Sequence, residues 1–185
     1  MFRIILYMSA IVGANVITAA TMPSVIGPLI IPWGSYLIGA TFIARDLVQN
    51  KYGRLNAYKA ISGALLLSAL VSWALGDPLA IVLASAITFA AGETTDTEIY
   101  TRLKTTVYGR VILSGLVGGI LDSAVFVIIG LSPIGAGIVP WSAVPFAILG
   151  QTIIKFTMQL VGVFALRKFI KKDFDQAVER GYVKV

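Results

Sequence analysis

The sequence predicts an all-α integral membrane protein that crosses the bilayer as six transmembrane helices. Of its 185 residues, 57% are hydrophobic and only 13% are charged, and the mean hydropathy is +0.87. Soluble domains carry about a quarter charged residues. Six segments are apolar enough to span a membrane, which takes about 20 residues of helix. The Lys and Arg residues gather in alternate connections between these segments, as they do in multi-pass proteins.

The composition also limits the chemistry. The chain has no cysteine and no histidine. Disulfides, thiolate metal sites and cysteine nucleophiles are thereby excluded, and the side chain most used as a metal ligand and proton shuttle is missing. We therefore expect no metal, no cofactor and no enzymatic activity.

The predicted spans follow one another from the N-terminus. They cover residues 2–20, 33–48, 57–75, 78–91 with a continuation toward 100, 111–130 and 141–166. The first resembles a signal peptide because Arg3 precedes its apolar run. No polar cleavage region follows, however, and further spans do, so we expect it to be retained as a helix. The second is short and carries Arg45 and Asp46, which must lie at the interface or face other helices.

The basic residues predict the orientation. Fourteen of the 15 Lys and Arg residues lie near Arg3, in residues 45–59, in 102–110 or in 167–184, and the other connections have none. Short loops rich in Lys and Arg stay cytoplasmic. The protein should therefore lie in the inner (cytoplasmic) membrane, with both termini facing the cytoplasm. The net charge of +6 then reflects topology and not nucleic-acid binding.

The sequence divides into two parts. Residues 1–170 should form a single six-helix transmembrane domain, and 171–185 a basic, amphipathic cytoplasmic tail. The run 167–172 carries four basic residues, which attract anionic membrane lipids. A homo-oligomer is compatible with this organisation.

Two charged residues lie at mid-membrane depth. Lys155, the fifteenth basic residue, is near the middle of the sixth span, and Asp122 near the middle of the fifth. At 1.5 Å per residue they lie at similar depth and are expected to pair across adjacent helices. Such a pair either locks two helices or serves function, and we favour function because apolar residues hold helices together without the desolvation cost.

Other polar residues lie at compatible depths. Gln151 is one turn from Lys155, and Asn15 is in the outer half of the first span. Together with Asp122 and Lys155 they predict a cluster of hydrogen-bond donors and acceptors with little net charge. This cluster suits a neutral, hydrogen-bonding solute.

A second, more acidic layer lies closer to the cytoplasm. Glu93 and Asp96 share one helix face, and Asp46 ends the second span. Paired carboxylates can act as acid and base, but no nucleophile or phosphate loop accompanies them. We expect these residues to contact the solute or to gate its exit. Interfacial salt bridging is the alternative for Asp46 and the favoured role of Glu98, Arg102 and Arg110.

Four stretches resemble one known family. They are GATFIARDLVQNKYG at 39–53, GETTDTEIYTRL at 92–103, Ser114 with Asp122, Ser123 and Phe126, and Gln151 with Lys155. In this order they resemble the queuosine-precursor transporter family, also labelled vitamin uptake transporter-like, over nearly the whole chain.

The resemblance implies a fold and a substrate. The fold would be similar to the substrate-binding subunits of energy-coupling-factor transporters. The solute would be 7-cyano- or 7-aminomethyl-7-deazaguanine (preQ0 is the former), imported by a stand-alone secondary carrier. One carboxylate, from Asp122, Glu93 or Asp96, can accept the adjacent N–H and amino groups of the base, and Lys155, Gln151 or Asn15 can donate to its carbonyl. The flat ring needs an apolar slot, for which the candidates are Phe126, Phe89 and Tyr36.

Three other functions stay open at this stage. The chain can be a vitamin- or nucleobase-binding subunit that depends on a separate ATPase module. It can be an intramembrane enzyme that acts on lipid with Glu93 and Asp96 as acid and base. It can also be a membrane scaffold, in which Asp122 and Lys155 would be jointly replaceable by apolar residues.

Overall fold

A computed structural model describes residues 2–77 and 79–182. Within them the chain forms six α-helices, which confirms the predicted all-α architecture. A π-helical stretch, Phe126–Leu131, continues the fifth helix, and a two-stranded hairpin follows the first. The helices are α1 (Phe2–Ala20), α2 (Gly34–Tyr52), α3 (Arg54–Ala74), α4 (Leu79–Arg102), α5 (Val107–Val125) and α6 (Val144–Glu179).

Several helices are suited to a membrane. In the part of the chain that the structure describes, α3, α5 with its π-helical continuation, and α6 are each long and apolar enough to cross a bilayer. Helix α1 contains a shorter apolar stretch. Three of the described helices are therefore of membrane-spanning type, and α6 continues without a break beyond residue 170 as far as Glu179.

The hairpin was not predicted. Strands β1 (Ser24–Ile26) and β2 (Leu29–Ile31) pair antiparallel within the segment that was expected to be an irregular loop. Gly27 adopts a φ of 57° in the two-residue turn, a conformation that glycine adopts without strain. Strand β2 packs against α6, so the hairpin closes against one end of the helix bundle.

Small residues bring the polar helices together. Helix α2 packs against α1, α3, α5 and α6. A Cβ atom added at Gly39 would lie 2.8 Å from the Cα of Lys155, and one added at Gly118 would lie 2.9 Å from the Cβ of Asp96. Neither position has room for a side chain, so glycine allows α2 to approach α6, and α5 to approach α4, at backbone distance.

The basic segments meet at one end of the bundle. Arg3 at the start of α1 forms an ion pair with Asp173 near the end of α6. Arg54 at the start of α3 pairs with Glu98 near the end of α4. We call the end of the bundle that holds these two ion pairs the basic end. The hairpin lies at the opposite end, which is the arrangement expected from the alternation of basic and uncharged connections.

Candidate functional site

The bundle encloses a cavity of about 410 Å³, within the range of small-molecule sites. Five of the eight predicted site residues line it. The lining also includes Met22 beside the hairpin and Ile138 in the connection before α6, so the cavity extends toward the end opposite the basic end. The five predicted residues are Asn15, Asp122, Phe126, Gln151 and Lys155.

The floor of the cavity is an ion pair. Lys155 and Asp122 form a salt bridge between α6 and α5, as their depths predicted. The Lys155 ammonium also donates to Ser123 Oγ at 3.0 Å and to Gln151 Oε1 at 3.3 Å. Lys155 is 3% exposed and Asp122 9%. The pair is therefore almost dehydrated, and its two charges cancel at the site.

Two amide side chains complete the polar lining. Gln151 accepts from Lys155, but its Nε2 is buried and has no hydrogen-bond partner among the described residues. A buried donor without an acceptor costs about 1–3 kcal/mol, which a ligand oxygen would recover. Asn15 donates its Nδ2 to Ser68 Oγ at 2.5 Å, so its nitrogen joins α1 to α3.

Apolar side chains form the rest of the wall. Phe126 and Phe89 both line the cavity, Phe126 from the first position of the π-helical stretch. Tyr36 is not among the lining residues; it stacks on Trp33 with ring centroids 5.5 Å apart. Trp33 and Trp141 are each about half exposed, as expected of interfacial anchors.

The other three predicted residues form a separate cluster. Asp46, Glu93 and Asp96 are not among the cavity-lining residues. They surround Arg45, whose Nη2 lies 3.0 Å from Asp46 Oδ1 and contacts Asp96, and whose Nε lies 3.5 Å from Glu93 Oε2. All four are at most 2% exposed. We call Arg45, Asp46, Glu93 and Asp96 the charged cluster.

The charged cluster lies directly below the cavity floor. A Cβ atom added at Gly92 would lie 3.1 Å from Asp122 Cβ, so the residue beside Glu93 touches the floor. Along α2, Arg45 follows Gly39, which packs on Lys155, and precedes the basic end. The charged cluster therefore lies between the cavity floor and the basic end.

Sequence reasoning missed three residues near the site. The sequence left open whether Arg45 lies at the interface or faces other helices, and the structure shows that it faces inward. Asp77 lines the cavity and accepts a hydrogen bond from Ser72; its isolated charge in an otherwise uncharged connection was the available clue. Tyr7 is fully buried with its hydroxyl facing Glu93, and nothing in the apolar first span distinguished it.

Glu98 lies in interfacial salt bridges, whereas Arg110 is buried. Glu98 pairs with Arg54 and, at 2.9 Å, with Arg102, which is the interfacial salt bridging that the sequence predicted. Arg110 was also expected at the interface, but it is fully buried, with its guanidinium 5.3 Å from the centre of the Phe174 ring.

Comparison with known proteins identifies the family. The sequence pattern of the family described as "putative vitamin uptake transporter" matches residues 72–167, slightly more than half of the chain. The matched part runs from the end of α3 into α6 and includes the Asp122–Lys155 pair. A search of curated proteins found no significant match, and neither did a search of solved structures. The chain thus belongs to the putative vitamin uptake transporter family, whose members are membrane transporters for small molecules.

Proposed function

We propose that this transporter imports a queuosine precursor, 7-cyano- or 7-aminomethyl-7-deazaguanine, across the cytoplasmic membrane as a secondary carrier. The observation that supports it most directly is the lining of the cavity. It combines two carboxylates, an ammonium, an unpaired amide donor and two phenyl rings around about 410 Å³.

Each group of a 7-deazaguanine has a counterpart in this lining. The adjacent N–H and amino groups suit the Asp122 carboxylate, and the ring carbonyl suits the free Nε2 of Gln151. Phe126 and Phe89 provide apolar surface for the flat ring. Because Lys155 already neutralises Asp122, the neutral cyano precursor enters without bringing an unpaired charge into the bundle.

We propose that all six helices span the membrane, with both termini in the cytoplasm. Helices α2 and α4 both carry internal charges, but these charges face each other in the charged cluster. The bundle instead exposes large apolar side chains on several helices, such as Leu70, Leu83 and Phe164, a surface suited to lipid. The basic end faces the cytoplasm by the positive-inside rule.

Ligand-induced thermal stabilisation tests the substrate. Purified protein in detergent is melted with 7-cyano-7-deazaguanine, 7-aminomethyl-7-deazaguanine, guanine, queuine and several vitamins. A ligand that binds only the folded state stabilises it by about 2.7 kcal/mol at a hundredfold excess over its Kd. We expect a rise in melting temperature with the two precursors and none with the vitamins.

The Asp122→Asn variant is the control for the site. Its melting temperature is expected to fall because Lys155 loses its counter-ion, so the ligand-induced shift is compared with the variant's own baseline. We expect that shift to vanish. A shift with a vitamin but with neither precursor would refute the substrate, and an undiminished shift in Asp122→Asn would refute the site.

Asp77 is expected to distinguish the two precursors. Its carboxylate is the only charge lining the cavity, among described residues, that has no cationic partner in the cavity wall. The aminomethyl precursor carries a primary amine that is cationic at neutral pH, whereas the cyano precursor is neutral. Asp77→Asn should weaken binding of the aminomethyl precursor about tenfold, in line with a charge-assisted hydrogen bond, and leave the cyano precursor unchanged. Titration calorimetry with both ligands measures this, and equal losses would contradict it.

A further inference from the structure

The charged cluster contains more acid than base. One guanidinium faces three carboxylates, and all four residues are at most 2% exposed. If every group were ionised, two negative charges would remain uncompensated away from water. A buried carboxylate without a counter-charge takes up a proton in preference to remaining ionised.

Glu93 is the carboxylate that Arg45 supports least. The terminal nitrogen Nη2 serves Asp46 and Asp96, with Asp46 Oδ1 at 3.0 Å. Glu93 Oε2 meets only Nε, at 3.5 Å. Glu93 also follows Gly92 in the sequence, and Gly92 packs against Asp122 at the cavity floor.

A buried hydroxyl provides an independent indication. Tyr7 of α1 is fully buried, its hydroxyl has no hydrogen-bond partner among the described residues, and it faces Glu93. A protonated carboxyl group is both donor and acceptor, so it can satisfy a hydroxyl in either direction. The ionisable groups that face Glu93 are Tyr7 of α1, Arg45 and Asp46 of α2, Asp96 of α4, and Asp122 of α5, which Lys155 of α6 neutralises.

We infer that Glu93 is the proton-binding residue of a proton-coupled carrier. The inference rests on the transport function proposed above. Glu93 binds one proton while the cavity is open to the outside, and it releases that proton toward the basic end together with the solute. Because the Arg45 guanidinium already lies among the three carboxylates of the cluster, we expect a proton there and not a metal cation.

Infrared spectroscopy of the purified protein tests the protonation without any solute. Wild-type protein at neutral pH should show carbonyl absorption from protonated carboxylic acid, and Glu93→Gln should lose the part of it that comes from Glu93. Glu98→Gln is the matched control, because Glu98 lies on the same helix but pairs with Arg54 and Arg102, and it should retain the band. A band of equal strength in Glu93→Gln would overturn the inference, whatever the solute proves to be.

Transport into sealed proteoliposomes tests the coupling. With 7-cyano-7-deazaguanine and no ATPase present, an inward proton gradient of one pH unit should give wild-type protein about tenfold accumulation at one proton per solute. Glu93→Gln should only equilibrate the solute, at a ratio of about one, whereas Glu98→Gln should accumulate it like wild type.

The outcomes separate the two proposals. Accumulation driven by a sodium gradient and indifferent to pH would refute the proton site and leave the carrier function standing. Undiminished proton-driven accumulation in Glu93→Gln would also refute the proton site and leave the carrier function standing. In a third outcome, wild-type protein shows the carboxyl band and Glu93→Gln loses the Glu93 part of it, while wild-type protein does not move the solute at all. That combination would refute the proposed substrate and leave the proton site standing.

Discussion

Replacing Arg45 with Met should lower the free energy of unfolding by about 3–5 kcal/mol, the usual cost of removing one partner from a buried ion pair. Arg45 is completely buried and is the common partner of Asp46, Glu93 and Asp96. Methionine fills a similar volume but leaves three carboxylates without a cation. Equilibrium unfolding in detergent, followed by the fluorescence of the three tryptophans, measures the loss.

A matched variant separates burial from charge. Arg102→Met also removes an arginine that pairs with a carboxylate, that of Glu98, but the Arg102 side chain is 78% exposed. Exposed ion pairs contribute about 0.2–1 kcal/mol, so this variant should remain close to wild type. Adding Asp96→Asn to Arg45→Met should recover part of the stability. A small loss in Arg45→Met, or no recovery in the double variant, would show that the cluster is not held by ionic contacts.

The helices could be predicted because long apolar runs in a chain with few charges are typical of membrane-type helices. Apolar runs of membrane-spanning length identified all six helices, and the first was correct at both ends, Phe2–Ala20. The ends of the others were less accurate where charged side chains are buried. Helix α2 extends to Tyr52, past residues that hydropathy assigns to an interface. Helix α4 ends at Arg102, two residues beyond its expected continuation toward 100.

The depth argument predicted the cavity residues for a physical reason. Helices that cross a bilayer rise by about 1.5 Å per residue, so sequence distance from a basic end translates directly into depth. Asp122, Lys155 and Gln151 met as that arithmetic required. Asn15 lines the same cavity from α1.

Depth alone does not give the direction in which a side chain points. Glu93, Asp96 and Asp46 were placed with the solute, yet they turn toward Arg45 and leave the cavity wall to Phe89 and Thr88. That orientation depends on which helices are neighbours, and α2 lies at the centre because Gly39 admits it against α6. The contribution of Tyr7 depends on the same packing, and so it could not be predicted from the first span.

The Asp122–Lys155 pair should show the second large effect. Asp122→Asn and Lys155→Met each leave one charged partner alone in a nearly dry site, and each should cost about 3–5 kcal/mol of stability. The double variant has no charge left at this position. Buried ion pairs are often no more stabilising than apolar or neutral replacements, so it should regain most of the lost stability.

Solute binding then decides between a structural and a functional pair. If the pair only joins α5 to α6, the refolded double variant should bind and transport like wild type. We expect it to melt near the wild-type temperature yet to show no ligand-induced shift, because the carboxylate that accepts the N–H groups of the base is gone. Ser123→Ala is the companion variant. It removes the 3.0 Å contact to Lys155 and a hydrogen bond to the Gly119 carbonyl within α5, and it should keep both stability and binding. A double variant that recovers both stability and binding would assign the pair to helix packing. The carboxylate that recognises the solute would then have to be sought elsewhere in the cavity, at Asp77.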